Sequence, residues 1–148
     1  MQNIANTVLG IIFVPTLLGT LIHLRQLDHI FDSNVTLLLF LSVWLCDTAA
    51  FFFGTKFGEK KILPKISPKK SWVGSISGFI FSILTFFIAY KLDFLGPTYS
   101  LIDCIVFGFI SGVFGQLGDF GESLLKRDVG VKDSGDILRG HGGILDRF

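Results

Sequence analysis

The sequence predicts an all-α fold: a polytopic bundle of about four transmembrane helices, extended by a cytoplasmic C-terminal helix and loop. Three observations carry this. Of 148 residues, 50% are apolar and only 17% are charged, with a mean hydropathy of +0.63. Four apolar stretches approach the length that crosses roughly 30 Å of hydrocarbon at about 1.5 Å per residue. Of 13 Lys and Arg, all but Arg25 and Lys91 fall on one side of the membrane if the chain crosses four times. The composition excludes a disordered chain, which needs low hydrophobicity and high charge. It also leaves too few polar side chains to cover a soluble globule, whereas 17 Gly suit packed membrane helices.

The first helix is expected over residues 4–24, with Pro15 inside it and His23 near its end. Its first ten residues hold no cation and no small-residue cleavage pattern follows, so it reads as a retained helix rather than a signal peptide. The second, over 35–53, is interrupted by Asp47, and the third covers 72–90. The fourth covers 101–125, apolar to about Leu117 and polar beyond, with Asp103 near its start. Loops are expected over 54–71, with Lys56, Lys60, Lys61, Lys65, Lys69 and Lys70, and over 126–148, with Lys126, Arg127, Lys132, Arg139 and Arg147. By the positive-inside rule both loops are cytoplasmic, which makes the chain an integral, multi-pass membrane protein and a single membrane domain over 1–148. Gly74 and Gly78, and Gly108, Ser111, Gly112 and Gly115, are spaced to let helices approach closely. Cys46 and Cys104 lie in apolar runs without CxxC or Cys/His spacing and read as small buried hydrophobes.

Chemistry resides in the charged residues that a membrane bundle does not need. A carboxylate such as Asp47 inside an apolar helix costs roughly 2.5 kcal/mol or more unless it faces a polar cavity, a cation or a metal. A structural alternative is an ion pair with a lysine of the next loop. Asp103, near the outer end of its helix, reads as snorkelling to water. Asp119, Glu122, Ser123 and Lys126 form one stripe at helical spacing, for which a solvated helix end is the plainer explanation. Beyond them, Lys132, Asp133, Asp136, Arg139, Asp146 and Arg147 surround a His141 flanked by glycines. Glycines permit close backbone approach to a ligand. Cations neutralise phosphate oxygens, and carboxylates hold the Mg²⁺ that bridges them. Ser67, Lys69, Lys70 and Ser71 precede the third helix, whose N-terminus would add donors for a phosphate. These segments converge on phosphoryl or nucleotidyl transfer at the cytoplasmic membrane surface, with no nucleic-acid partner.

Several motifs carry a closer likeness. Ser123-Leu-Leu-Lys126-Arg127, then Lys132-Asp133-Ser-Gly, then His141-Gly142-Gly143-Ile-Leu-Asp146-Arg147 resembles the signature of phosphatidate cytidylyltransferases (CDP-diacylglycerol synthases). Ser67-Pro68-Lys69-Lys70-Ser71-Trp72-Val73-Gly74 is similar to that family's SPKKTxEG segment, with Val73 where Glu is usual. Asp47-Thr48-Ala49-Ala50-Phe51 resembles the start of DTxAYxxGxxFG, with Phe51 for Tyr, and Gly118-Asp119-Phe120-Gly121-Glu122-Ser123 resembles GDLxES.

The resemblance implies a reaction of CTP with phosphatidic acid, giving CDP-diacylglycerol and pyrophosphate, with Mg²⁺. It implies Asp47, Asp119 and Asp146 as metal ligands, and Asp119, Asp146, Lys126, Arg127 and His141 as catalytic. Ser67, Lys69, Lys70, Ser123, Lys132, Asp133 and Arg147 would contact substrate. It also implies that the chain corresponds to the C-terminal portion of such an enzyme, without the family's N-terminal helices and last helix. A homo-oligomer, or a partner supplying those helices, is therefore expected. Two other readings stand beside it: a CTP-dependent lipid-alcohol kinase, and a non-catalytic membrane fragment or subunit.

Overall fold

The computed structural model describes residues 15–16, 19–24, 26, 34–64, 67–128 and 130–131. Of the helix expected over 4–24, residues 15–16 and 19–24 are described and are helical; the rest lies outside the described residues. Three long helices follow: α1 (Asn34–Phe57), α2 (Trp72–Lys91) and α3 (Leu101–Asp128). All three are long and apolar enough to cross a membrane. The segment read as a loop over 54–71 holds more structure than that. α1 continues to Phe57, and strands β1 (Lys61–Leu63) and β2 (Ser67–Ser71) pair antiparallel, with Lys61 opposite Ser71 and Leu63 opposite Ser67. An otherwise all-α bundle thus carries a small hairpin, in which Pro68 is tolerated because a two-stranded sheet has only edges.

Local chemistry sets the helix ends. Ser71, in extended conformation, caps α2 by accepting from the Gly74 amide at 3.2 Å. α2 stops in a Schellman motif: Phe94 N–H donates to Ala89 O at 3.0 Å and Asp93 N–H to Tyr90 O at 3.1 Å, around Asp93 at φ 53°. Asp103, expected merely to reach water, closes a capping box at the start of α3. Its carboxylate accepts from the Ser100 amide at 2.9 Å and hydroxyl at 2.7 Å, and its own amide donates to the Ser100 hydroxyl at 3.3 Å. α3 ends in a second Schellman turn at Gly130, where the Val131 amide donates to Lys126 O at 2.9 Å.

α2 is the central helix, packed against both α1 and α3. At one end the interior is apolar, with Val35, Leu38, Phe86, Ala89, Leu95 and Cys104 buried together. Midway it is built from small and hydroxyl residues. Ser42 of α1 donates to Ser111 of α3 at 3.0 Å, Ser111 lies 2.7 Å from Ser82 of α2, and Ser82 donates to the Gly108 carbonyl at 2.9 Å. All three serines are buried. The glycines beside them allow this contact: a Cβ on Gly108 would stand 2.7 Å from Ile83 Cα, and one on Gly78 2.7 Å from the Cys46 carbonyl oxygen. The large side chains, among them Leu37, Trp44, Phe51, Ile76, Ile102 and Phe114, point outward. Small inside and bulky apolar outside is the pattern of helices whose surroundings are lipid.

Gly108→Ala should therefore destabilise the bundle by about 1–3 kcal/mol, since backbone must move to admit the methyl. Ser111→Ala should cost less, about 0.6 kcal/mol, the usual scale for hydrogen bonds between membrane helices. Reversible unfolding in mixed micelles measures both.

Candidate active site

At the end opposite the apolar cluster, the three helices and the hairpin leave a cleft of about 310 Å³. Asp47, Ala50 and Phe51 of α1 form one wall, Lys69, Lys70 and Ser71 of β2 the rim, and Gly74 and Ser75 of α2 with Gln116 and Asp119 of α3 the remainder. α1 and α2 meet closely here because Gly74 has no side chain; a Cβ would lie 2.6 Å from the Ala50 carbonyl oxygen. Ser71 fastens the rim. Besides capping α2, its hydroxyl donates to the Gly54 carbonyl of α1 at 3.4 Å, so the strand bearing the lysines is tied to both helices. The Ser71 hydroxyl is thus committed to structure.

Lys70 and Asp119 form an ion pair across the cleft. The Lys70 ammonium also stands 3.8 Å from the centre of the Phe120 ring, close enough for a cation–π contact. Its nitrogen is shielded from solvent, and no hydrogen-bond acceptor is aligned with its protons among the described residues. The Asp119 pairing is thus one of charge and contact, with the directional capacity of the ammonium unspent. Asp47 lies within electrostatic reach of both Asp119 and Lys70. It forms no ion pair among the described residues, where Lys70 pairs instead with Asp119. Lys69 is exposed at the rim. The two carboxylates and two ammonium groups lining the cleft cancel in charge.

Gln116 is held by its own contacts. Its amide nitrogen donates to Ser75 O at 3.0 Å and lies 3.6 Å from Cys46 Sγ. Along α3, Asp119 is about 27 Å from Leu101 at 1.5 Å per residue, near the far edge of a hydrocarbon layer roughly 30 Å thick.

Of the residues predicted from sequence, Asp47, Lys69, Lys70 and Asp119 come together in this cleft. Ser67 does not line it; it pairs opposite Leu63 in the hairpin. Ser123 and Lys126 follow on α3 beyond the cleft lining, and Lys126 bonds Glu122 at 2.9 Å, the helix-end pair that the plainer explanation of this stripe required. Arg127 turns to the end of its own helix and donates to the Val131 carbonyl at 3.2 Å. Lys132, Asp133, His141, Asp146 and Arg147 lie outside the described residues.

Gln116, Ser75 and Phe120 were not anticipated. Gln116 had a signal, being a polar residue in an apolar helix one turn before Asp119. Phe120 had none, because its contact exists only once β2 delivers Lys70 to it.

No group of three or more His, Cys, Asp or Glu gathers as a metal cage among the described residues. Asp47 and Asp119 line one cleft and could supply the one or two carboxylates through which Mg²⁺ binds, its other positions going to phosphate oxygens and water.

Comparison with known proteins gives the family. The profile of the cytidylyltransferase family matches residues 1–148. The phosphatidate cytidylyltransferase of Staphylococcus saprophyticus is 46% identical over 112 residues, 76% of this chain and 42% of that protein. That of Staphylococcus haemolyticus is 48% identical over 109 residues, 74% of this chain and 41% of that protein. That of Haemophilus influenzae is 39% identical over 140 residues, 91% of this chain and 49% of that protein. The matched segment therefore covers under half the length of each of these relatives. With a profile match along its whole length, and with carboxylates and lysines from separate segments sharing one cleft, this chain belongs to the cytidylyltransferase family.

Proposed function

We propose that this chain takes part in transferring CMP from CTP to phosphatidic acid, yielding CDP-diacylglycerol and pyrophosphate. One observation carries the reading: Asp47, Lys69, Lys70 and Asp119, drawn from α1, β2 and α3, share a cleft at one end of an apolar bundle. A phosphate oxygen of the lipid attacks the α-phosphorus of CTP, and the new P–O bond forms as the bond to pyrophosphate breaks. No protein nucleophile is required. The obstacle is to bring two anions together and hold them in line, so neutralisation and alignment are the work of the side chains.

Lys69, exposed at the rim, would meet the incoming phosphate first, and Lys70, deeper, would neutralise a second phosphate oxygen. Asp47 and Asp119 would hold Mg²⁺, which when bound neutralises the triphosphate oxygens it contacts. Gln116, fixed through its amide nitrogen, shapes the inner wall. The cytoplasmic placement of this end, and a multi-pass topology, are part of the same proposal; the clustering of lysines in 54–71 supports them.

Membranes containing this chain, given labelled CTP, Mg²⁺ and phosphatidic acid, should form lipid-linked CMP and release pyrophosphate. Release of CDP with a phosphorylated lipid alcohol would instead indicate kinase chemistry, and absence of labelled lipid from correctly inserted protein would refute the proposal. Asp47→Asn and Asp119→Asn should each lower turnover at least about 100-fold, the scale for losing a group that stabilises transition-state charge. For topology, a cysteine placed at Lys60 should react with a membrane-impermeant maleimide only from the cytoplasmic side, and one at Thr98 only from the other.

A further inference from the structure

Lys70 occupies an unusual position for a residue whose expected partner is a phosphate. Its ammonium rests against the Asp119 carboxylate and the Phe120 ring, out of solvent, with Asp47 close by. An ammonium has three protons to donate, and its one carboxylate contact leaves most of that capacity unused. Asp47 and Asp119 line the same cleft, and Lys70 offsets the repulsion between their like charges.

The strand beneath Lys70 is fixed. Its neighbour Ser71 is bonded to Gly54 of α1 and Gly74 of α2, so only the flexible side chain is free to change partner. Phe120 offers a non-directional surface along which the ammonium can move without losing all its stabilisation.

We propose that Lys70 is the resident counter-ion of the Asp47–Asp119 pair, holding the place of a divalent cation and released toward substrate phosphate when that cation binds. This rests on the metal assignment made above. It adds that cation and lysine compete for the same carboxylates, so that loading turns a charge-neutral cleft into a cationic one and frees Lys70 in the same event. Before loading, the cleft has little attraction for a triphosphate; afterwards it has both the ion and an unpaired lysine.

Competition can be read without turnover. Mn²⁺, added alone to the chain in detergent micelles without nucleotide, is followed by its electron paramagnetic resonance signal. Lys70→Gln, which keeps length and removes charge, should bind Mn²⁺ about tenfold more tightly than the parent, in keeping with loss of a competing, partly shielded ion pair. Lys69→Gln, at the same rim but unpaired with Asp119, should change Mn²⁺ affinity by less than about threefold, as expected for an exposed charge screened by salt. Lys70→Arg, which keeps the charge, should stay near the parent, and circular dichroism confirms that each variant is folded. A Lys70→Gln variant that binds Mn²⁺ no better than the parent would overturn the proposal while leaving the metal assignment standing. Failure of the parent and every variant to bind Mn²⁺ would overturn both.

Discussion

The contact on which the rest depends is the buried union of Ser42, Ser82 and Ser111, one serine from each long helix. In lipid there is no hydrophobic gain in pressing one apolar helix against another, so association rests on close backbone packing and on hydrogen bonds with no competing water. Here both act in one layer. The missing side chains of Gly78 and Gly108 bring the backbones near, and the hydroxyls then span what gap remains. Each hydroxyl also has a backbone carbonyl within reach, Leu39 for Ser42 and Gly108 for both Ser82 and Ser111, so none is stranded if the neighbouring helix shifts. The layer lies between an apolar cluster and a charged cleft, and keeps the three helix ends in fixed relation to one another.

That fixity matters because the cleft is assembled from pieces that do not touch in sequence. Asp47 belongs to a helix that could not hold a carboxylate cheaply unless another element supplied compensating charge. Lys70, on a short strand, brings a positive charge within electrostatic reach of Asp47 while pairing with Asp119 of α3. Of the three, Lys70 is the one whose removal leaves only like charges behind, Asp47 and Asp119 lining the same cleft. Ser71 provides the mechanical counterpart, since one hydroxyl registers the strand to two helices at once.

Much of this was legible in the letters. The lengths of α1, α2 and α3 followed from apolar runs, and their shared polar end from the distribution of lysines. The glycine spacing anticipated the helix contacts at Gly74, Gly78, Gly108 and Gly112, although Gly115 makes only an ordinary contact with Val43. The hairpin was hidden because its strands are three and five residues long, carry Pro68 and several lysines, and resemble a solvated loop by composition. Which lysine meets which carboxylate was equally hidden, because that depends on the angle at which β2 arrives at α3. Asp103 is exposed as expected, but its capping role was hidden because its partner Ser100 lies just outside the apolar run that drew attention to the helix.

The length of α3 has one further consequence. With 28 residues it is longer than the hydrocarbon layer requires, and in the proposed topology Asp119 would ride at the level where phospholipid headgroups begin. For the proposed acceptor, whose tails stay in the leaflet, arrival becomes a search over a plane rather than through a volume. Encounter would then follow lipid mobility and the surface density of the acceptor, while the water-soluble nucleotide comes from above.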